Sequence, residues 1–359
     1  MSNFELKPTL YVDPDLERLH NPNNGSLENG QRVKIDLSKY HFCNIVYPQR
    51  SSKYFNLVKN SNDNNPVINY LLKHFDTSVI KRIFGFRFNL AFRNCHGCTT
   101  YINSLICPVC KTRISKKRYY KYAYLIDNTI ADFDTTYITT STLAAVKSSV
   151  SMVCKMIDDI LKNKTLCGFA IVRPPGHHAS FNKSEGFCIV NNIAIAANYY
   201  LSINKSDRIF ILDIDAHHGN GTQDIFYESS NVYYCSIHSR NTFPNTGSCF
   251  EKGKGQGEGF NLNITVENGI DHNDYLNIIE YTVVPVIKNY DPNLILLSMG
   301  FDGLSTDPMK LMNLLPITYG SIVRTMKSFN KPVGIVLEGG YDLDNLQKCF
   351  DEVIQSMIY

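Results

Sequence analysis

The 359-residue sequence predicts an α/β fold with a central, mainly parallel sheet flanked by helices. Two observations carry this prediction. Five short apolar runs, rich in β-branched residues and bounded by Gly and Pro, are typical of strands buried on both faces. From about residue 130 onward, these runs alternate with helical patterns, as βα units do. The apolar share of 43% can fill a core, and we expect a single domain over residues 1–359.

The predicted elements follow one another along the chain. The strands are FAIV (169–172), RIFILDID (208–215), VYYCSI (232–237), NLILLSMGF (293–301) and VGIVLEGG (333–340). Helical patterns cover 141–162, 191–201, 273–289, 317–328 and 343–357. The Gly-rich segment 251–259 predicts a loop. The first hundred residues are less regular and contain turn-rich segments at 21–30 and 60–65.

Each predicted strand leads into a chemically reactive side chain. In chain order these are His178, Asp215, His238, Asp302 and Tyr341. The carboxyl ends of parallel strands meet at one edge of the sheet, where open α/β sheets bind their ligands. We therefore expect the five side chains to converge on one active-site pocket.

The second of these strands ends in a pattern that predicts a metal site. Asp213, Asp215 and His217 share one face if the strand stays extended, and such a buried group would be costly without a cation. With Asp302, the last two form an O,N,O ligand set that leaves a coordination position open, as catalytic metals require. The residues alone leave Zn²⁺, Fe²⁺ and Mn²⁺ open. The alternative, a set of helix caps in a solvated turn, is disfavoured because Asp302 ends another strand.

Two further motifs supply groups for acid–base chemistry. His177 and His178 follow a Pro-Pro-Gly turn, and Tyr341 follows two glycines. Adjacent histidines are often surface residues and a lone Tyr is often core packing, but beside a metal they suit a general base, an electrophile and an oxyanion donor. Together the parts predict metal-assisted hydrolysis of an amide.

Five ordered motifs, RPPGHHA, GFC, LDIDAHHGNGTQDIFY, SMGFDG and LEGGYDL, resemble the histone deacetylase family, specifically its class II-like branch. The resemblance runs from about residue 132 to the last residue. It implies the arginase–deacetylase fold, with a catalytic Zn²⁺ on Asp215, His217 and Asp302. It also implies that His177 and His178 are the catalytic histidines and that Tyr341 is the transition-state tyrosine. Asp213 would orient His177, and Asn220, where class I members usually carry Asp, would lie near His178.

The same resemblance implies a substrate tunnel and structural K⁺ sites. Gly186, Phe187 and Phe243 would line the acyl-lysine tunnel, with Met309 at its mouth. Asp134 and Thr135 match the rim region that holds the substrate backbone. One K⁺ would be held by Asp213, Asp215, His217, Ser236 and Ile237. A second K⁺ would use Phe226, Ser229 and Val232.

Residues 93–113 differ from their surroundings and are interpreted as an insertion. Two pairs, Cys95-x2-Cys98 and Cys107-x2-Cys110, match the spacing of a structural zinc, which predicts a small four-cysteine zinc knuckle. Four free thiols are the alternative. The family does not ordinarily carry this element. The basic, tyrosine-containing run 111–121 could contact nucleic acid or an acidic protein partner, although a solvated charged face is the commoner explanation.

Composition sets the remaining limits. A net charge of +3 gives no strong sign of nucleic-acid binding. No apolar run reaches the length of a membrane span and the first residues lack a signal-peptide core, so we expect no membrane contact and an intracellular location, nuclear or cytoplasmic. Eleven cysteines then indicate thiols or metal ligands rather than disulfides.

Three functions compete. The first is a zinc-dependent protein lysine deacetylase acting on an acetylated histone or non-histone protein. The second is an acetylpolyamine amidohydrolase, whose specific members resemble one another in carrying Glu where this chain has Met309. The third is a silent scaffold, which the complete set of reactive residues disfavours. Arginases share the fold but need two further carboxylates, and the corresponding positions here are Gly219 and Gly300.

Overall fold

The computed structural model describes residues 6–20, 26–47, 130–131, 136–138, 142–180 and 184–358. The strands are β1 Thr9–Tyr11, β2 Asn44–Val46, β3 Ile130–Ala131, β4 Tyr137–Ile138, β5 Cys167–Ala170, β6 Ile209–Asp213, β7 Val232–Ser239, β8 Asn261–Val266, β9 Leu294–Met299 and β10 Val333–Leu337. Eight of them form one sheet in the order β2-β1-β5-β10-β9-β6-β7-β8, and every neighbouring pair is parallel. A separate antiparallel pair joins β3 and β4.

Seven α-helices are described. They are α1 Thr142–Leu161, α2 Asn192–Ile203, α3 Asn220–Phe226, α4 His272–Ile278, α5 Val284–Tyr290, α6 Pro316–Lys327 and α7 Leu346–Ser356. A π-helical turn, Ile279–Val283, joins α4 to α5. Short 3-10 helices lie at Pro14–Glu17, Gly30–Val33, Leu37–Lys39 and Gly255–Gly257.

The central strands are buried on both faces because successive side chains point into two different apolar clusters. Leu212, Leu297 and Ile335 belong to the cluster that also contains core residues of α6 and α7. Ile211 and Leu296 belong to the other cluster, which contains core residues of α1 and α2. This two-sided packing fixes the positions of the strand ends, and the parallel pairing places all their carboxyl ends at one edge.

The predicted parallel sheet with flanking helices is confirmed, and each of the five predicted strands overlaps an observed one. The helical pattern 273–289 differs, because the structure divides it at the π-turn. Three strands of the central sheet were not predicted: β1 and β2 from the irregular first part of the chain, and β8 after the Gly-rich loop. β1 and β2 have only three residues each, too few to show a period of two. The predicted insertion at 93–113, with Cys95, Cys98, Cys107 and Cys110, lies outside the described residues, as do Asp134 and Thr135.

Candidate active site

The loop that carries the two histidines follows β5 and is held by a buried carboxylate from another strand end. Glu338, directly after β10, accepts the backbone N–H groups of Gly176 and His177 at 2.6 and 3.1 Å. Its second oxygen accepts the hydroxyl of Ser298 at 3.0 Å. Burial raises the pKa of Glu338 to about 7. Glu338 therefore ties the histidine loop to the loop that carries Tyr341.

His177 is oriented by a carboxylate, as the resemblance implies. Its Nδ1 lies 3.1 Å from Oδ2 of Asp213, which also accepts the hydroxyl of Tyr234 at 2.9 Å. Burial opposes protonation of His177, but the carboxylates of Asp215 and Asp213 outweigh it and raise the pKa of the ring well above its usual value.

His178 has the opposite environment although its ring centroid is only 3.9 Å from that of His177. Its Nδ1 lies 2.8 Å from Oδ1 of Asn220, at the start of α3. Burial, assisted by the charges of His177 and His217, lowers the pKa of His178 well below its usual value. Because a carbonyl oxygen only accepts, Nδ1 must donate, which leaves the lone pair on Nε2.

The three predicted metal ligands meet at the carboxyl edge of the sheet. Asp215, His217 and Asp302 bring one ligand atom each to within 4.8 Å of one another. Nδ1 of His217 lies 3.1 Å from Oδ1 of Asp215 and 2.8 Å from Oδ2 of Asp302. The carboxylates are oriented by backbone N–H groups of Gly339 (2.8 Å) and Ala216 (2.9 Å).

This donor set fits a divalent cation. Both carboxylates are buried, and burial together with the charge of Asp215 raises the pKa of Asp302, so two negative charges here need compensation. Burial disfavours a charged His217, but hydrogen bonds to Asp215 and Asp302 raise its pKa to about 10. Zn²⁺ binds carboxylate oxygens and imidazole nitrogens, and three protein ligands leave its fourth position open, as catalytic sites require. Another buried group of suitable spacing, His177, Cys188 and Glu338, is engaged differently, since Glu338 holds the histidine loop.

The chain reaches this geometry by a different route from the one predicted. β6 ends at Asp213, so the three polar residues do not continue an extended strand. Instead, the backbone N–H of Asp215 points to Oδ1 of Asp213 at 3.3 Å, and that of His217 to Oδ1 of Asp215 at 3.0 Å. Each acidic side chain thus turns the chain two residues further on, as short polar side chains do.

The two glycines compared with arginase have no room for a side chain. A Cβ on Gly219 would lie 2.1 Å from Oδ2 of Asp213. A Cβ on Gly300 would lie 2.2 Å from Oδ2 of Asp215. Additional carboxylates at these positions would therefore displace the residues already described, which supports a single-metal arrangement.

A pocket of about 190 Å³ leads to these residues. It is lined by Pro175, His177, His178, Gly186, Phe187, Asp215, His217, Phe243, Met309, Gly339 and Tyr341. The predicted tunnel residues Gly186, Phe187, Phe243 and Met309 all lie in this lining. The rings of Phe243 and His178 meet edge to face at 4.9 Å, as do those of Phe187 and Tyr341 at 5.8 Å.

The turn before α2 shapes one wall of the pocket. Gly186 has a φ of 55°, and a Cβ there would lie 2.3 Å from the His178 ring. Phe187 has a φ of 65°, which is strained for an aromatic residue. Its N–H donates to the buried hydroxyl of Thr136 at 3.1 Å. Thr136, next to the predicted rim residues, thus supports the wall, although the sequence did not single it out.

Tyr341 is held from beneath by an arginine from the first part of the chain. The guanidinium carbon of Arg32 lies 4.8 Å from the centre of the tyrosine ring, and its Nε donates to the carbonyl of Gly340 at 2.6 Å. Asp307 accepts the N–H groups of Tyr341 and Met309 at 2.7 and 2.9 Å. Burial, opposed by Arg32, raises the pKa of Tyr341 well above its usual value, so the phenol keeps its proton.

The supporting charges extend to a second buried arginine. Glu28 accepts Arg32 at 3.0 Å and Arg173 at 2.8 and 3.0 Å, and all three side chains are buried. The sequence analysis did not single out Arg173, although a charge three residues after a buried strand is a signal that it needs a carboxylate. Nothing local identifies Glu28 as that carboxylate, because 145 positions separate them.

One of the five strand-end residues does not line the pocket. His238 lies within β7 and borders a neighbouring cleft of about 230 Å³, which meets the pocket at Phe243. Its nitrogens lie 2.9 Å from the hydroxyl of Ser236 and 3.1 Å from the carbonyl of Gly247. The prediction that His238 converges with the other four is wrong, because β7 continues past it to Ser239.

The residues that the resemblance assigns to K⁺ fall into two neighbourhoods. Asp213 pairs with Ser236 across β6 and β7, so Ser236 and Ile237 lie beside the segment from Asp213 to His217. Phe226 ends α3, Ser229 donates its N–H to the carbonyl of Phe226 at 2.9 Å, and Val232 begins β7. Both groupings are compact, and their K⁺ assignment stays a prediction.

In the described parts of the chain, none of the helices combines the length and apolar character needed to span a bilayer. The seven cysteines among the described residues are free, and all except Cys249 are buried.

Comparison with known proteins places this geometry in a family. Residues 91–357 match the family model for the histone deacetylase domain. Histone deacetylase 6 of Caenorhabditis elegans is 36% identical over 240 residues, which are 64% of this chain and 25% of that protein. Histone deacetylase 18 of Arabidopsis thaliana is 36% identical over 238 residues, which are 64% of this chain and 35% of that protein. The match therefore spans only a quarter to about a third of these relatives.

The fold has a solved counterpart. The crystal structure of the HDA15 HD domain superposes with a TM-score of 0.75, covering 98% of this chain and 88% of that one at 22% identity. The sheet order and the converging strand ends are therefore those of a known fold. Because the family model matches most of its length and its fold agrees, the chain belongs to the histone deacetylase family.

Proposed function

We propose that this chain is a zinc-dependent hydrolase that removes acetyl groups from acetyl-lysine side chains of a histone or non-histone protein. One observation carries the proposal. The O,N,O ligand set, both histidines and Tyr341 lie around one pocket whose outer walls are Phe187, Phe243 and Met309.

Asp215, His217 and Asp302 would hold the metal. When bound, Zn²⁺ supplies Lewis-acid polarisation of the acetyl carbonyl and lowers the pKa of a coordinated water toward about 7. His178 takes the water proton at Nε2, because its Nδ1 donates to Asn220. The same nitrogen then returns the proton to the leaving lysine amine. His177, whose Nδ1 faces the carboxylate of Asp213, is the second imidazole beside the reacting groups.

Tyr341 acts as a hydrogen-bond donor rather than as a base. Burial keeps its phenol protonated, and Arg32 and Asp307 fix the loop on which it stands. A fixed donor at this position stabilises the negative charge that develops on the carbonyl oxygen during attack.

Further proposals concern the parts that the described residues do not reach. We infer one domain over residues 1–359, with an inserted four-cysteine knuckle at 93–113 that binds a second, structural Zn²⁺ through Cys95, Cys98, Cys107 and Cys110. Asp134 and Thr135 are proposed to hold the substrate backbone at the rim. The two K⁺ sites are proposed at the groups already located. The basic run 111–121 is the observation behind a further proposal, a protein or nucleic-acid partner for the cysteine insertion.

One experiment tests the function and the metal content together. Purified protein is assayed on acetyl-lysine peptides and acetylpolyamines, and its metal is quantified under reducing conditions. We expect peptide deacetylation and two zinc equivalents per chain. The double variant Cys107→Ser/Cys110→Ser should keep one equivalent and its catalytic domain, since structural zinc is bound by its own ligands. A single equivalent in metal-replete wild type would remove the knuckle from the proposal, and inactivity on every peptide would remove the deacetylase.

A further inference from the structure

The hydrogen bonds around His178 extend one residue beyond those that the proposed mechanism uses. Oδ1 of Asn220 lies 2.8 Å from Nδ1 of His178, and Nδ2 of Asn220 lies 2.8 Å from Oε1 of Glu185. His178 and Glu185 are buried, and Asn220 is partly buried. Glu185 comes directly before Gly186 and Phe187 of the pocket wall. A carboxylate thus stands behind the second histidine, with an amide between them.

An asparagine amide can face a histidine in two ways. Its oxygen and its NH₂ group have nearly the same shape, so the surroundings decide which one points where. The carboxylate of Glu185 only accepts hydrogen bonds and therefore selects the NH₂ group of Asn220. The oxygen of Asn220 is then turned toward His178.

The orientation of the amide decides which nitrogen of His178 carries the proton. Facing an oxygen, Nδ1 must donate, and Nε2 keeps the lone pair. With the amide reversed, Nδ1 would accept from the NH₂ group and the proton would sit on Nε2. A ring in that second form cannot take a proton from water at Nε2.

We propose that Glu185 is a positioning residue for deacetylation, which selects the Nδ1–H form of His178 through the amide of Asn220. The inference rests on the proposed function, because it needs His178 as the general base. Glu185 and Asn220 also fit each other. An aspartate at position 220 could still accept from His178 but would place two carboxylates within hydrogen-bond distance.

Single variants of Glu185 test the proposal by kinetics. Glu185→Met removes the acceptor at similar length, and it should lower kcat about tenfold or more while KM changes little, since a general base contributes about 10²–10⁴ in rate. Glu185→Gln keeps an acceptor oxygen for the Asn220 amide, so its kcat should stay much closer to that of the wild type. Ser184→Ala is the matched control in the same segment. The Ser184 hydroxyl donates to the carbonyl of Ile189 at 2.9 Å, and its loss should leave kcat within about twofold.

A double variant tests the pairing itself. Asn220→Asp alone should be strongly impaired, because its carboxylate faces that of Glu185. Adding Glu185→Gln should restore activity, because the glutamine NH₂ group can donate to the new aspartate, which still accepts from His178. Glu185→Gln would then raise activity in the Asn220→Asp background, although it does not raise activity in the wild type. This comparison tests the proposal even if Glu185→Met fails to fold. A double variant no more active than Asn220→Asp would overturn the proposal, as would a folded Glu185→Met with wild-type kcat.

The tautomer can also be read without turnover. In ¹⁵N-histidine-labelled protein, the His178 signal, assigned by its loss in His178→Ala, should show a protonated Nδ1. In Glu185→Met the form protonated at Nε2 should appear. An unchanged signal would overturn the role of Glu185 even if wild type proved inactive on every substrate, an outcome that would separately refute the proposed function.

Discussion

The reactive and the supporting parts of this active site come from different kinds of sequence. His178, Asp215, Asp302 and Tyr341 each stand within eight residues of the end of a central strand, in short ordered motifs. The charges beneath them come from far away, since Arg32 reaches the carbonyl of Gly340 across 308 positions. The comparison teaches that the sheet alone brings reactive groups together, whereas the rigidity of their loops depends on buried ion pairs with the first part of the chain.

The largest expected effect comes from removing the charge that joins the two parts. Glu28→Gln leaves the buried guanidinium groups of Arg32 and Arg173 without their carboxylate. Breaking a buried ion pair typically lowers the free energy of unfolding by about 3–5 kcal/mol. We expect a loss of this size in urea denaturation.

An exposed ion pair provides the matched control. Glu267 lies 3.0 Å from Arg240, with side chains 78% and 54% exposed. Glu267→Gln should change the free energy of unfolding by less than about 1 kcal/mol, because solvent screens such pairs. If the two variants lost similar free energies of unfolding, the buried ion pairs beneath Tyr341 would contribute no more to stability than an exposed pair.

The reactive part is tested by Tyr341→Phe and His178→Ala. Each should lower deacetylation about 10²–10³-fold or more, because an oxyanion donor or a general base is lost while the packing is largely kept. The rates should be measured beside thermal denaturation, which we expect to show a folded protein in both cases. Near-normal turnover by a folded variant would remove that residue from the mechanism.

The sequence predicted the reactive part because its signals are local. An apolar run followed by Asp, His or Tyr marks the end of a buried strand. Parallel pairing then brings these ends together at one edge of the sheet. The supporting part gave no such signal. Glu28 lies in a turn-rich segment beside an irregular 3-10 helix, and only the folded chain places it between two arginines. Asp307 and Glu185 lie within two residues of Met309 and Gly186, which were singled out, but their roles depend on backbone N–H groups and amide orientations that no pattern encodes.

The supporting part also predicts a pH effect on stability. Burial lowers the pKa of His20 to about 3, with Glu28 opposing and Arg173 assisting the shift. The folded state therefore binds this proton less readily than the unfolded chain, whose histidine titrates near 6.5. The stability contributed by neutral His20 is present above about pH 6.5 and is lost as the pH falls toward 3.

Comparing wild type with His20→Asn isolates the pH-dependent stability that neutral His20 contributes. The wild type should lose up to about 1.4 kcal/mol more per pH unit below 6.5 than the variant, as one extra proton is bound on unfolding. Asparagine suits the left-handed backbone here, where φ is 55°. Parallel stability curves for the two proteins between pH 6.5 and 5 would contradict the assignment.

The smallest expected effect concerns substrate choice at the pocket mouth. Met309 gives an apolar, polarizable wall, which suits the methylene stem of an acyl-lysine. We expect a higher kcat/KM on acetyl-lysine peptides than on acetylspermidine. Met309→Glu should shift the ratio toward the polyamine about tenfold, because a partly desolvated carboxylate attracts the distal ammonium group.

Met309→Gln is the control that separates charge from polarity. It has the length of the Glu variant without its charge, so it should leave the ratio closer to that of wild type, and high salt should weaken the effect in Met309→Glu alone. Equal shifts in both variants would mean that lost apolar contact, not charge, sets the preference. A wild type with higher kcat/KM on acetylspermidine than on a panel of acetyl-lysine peptides would overturn the protein-deacetylase assignment.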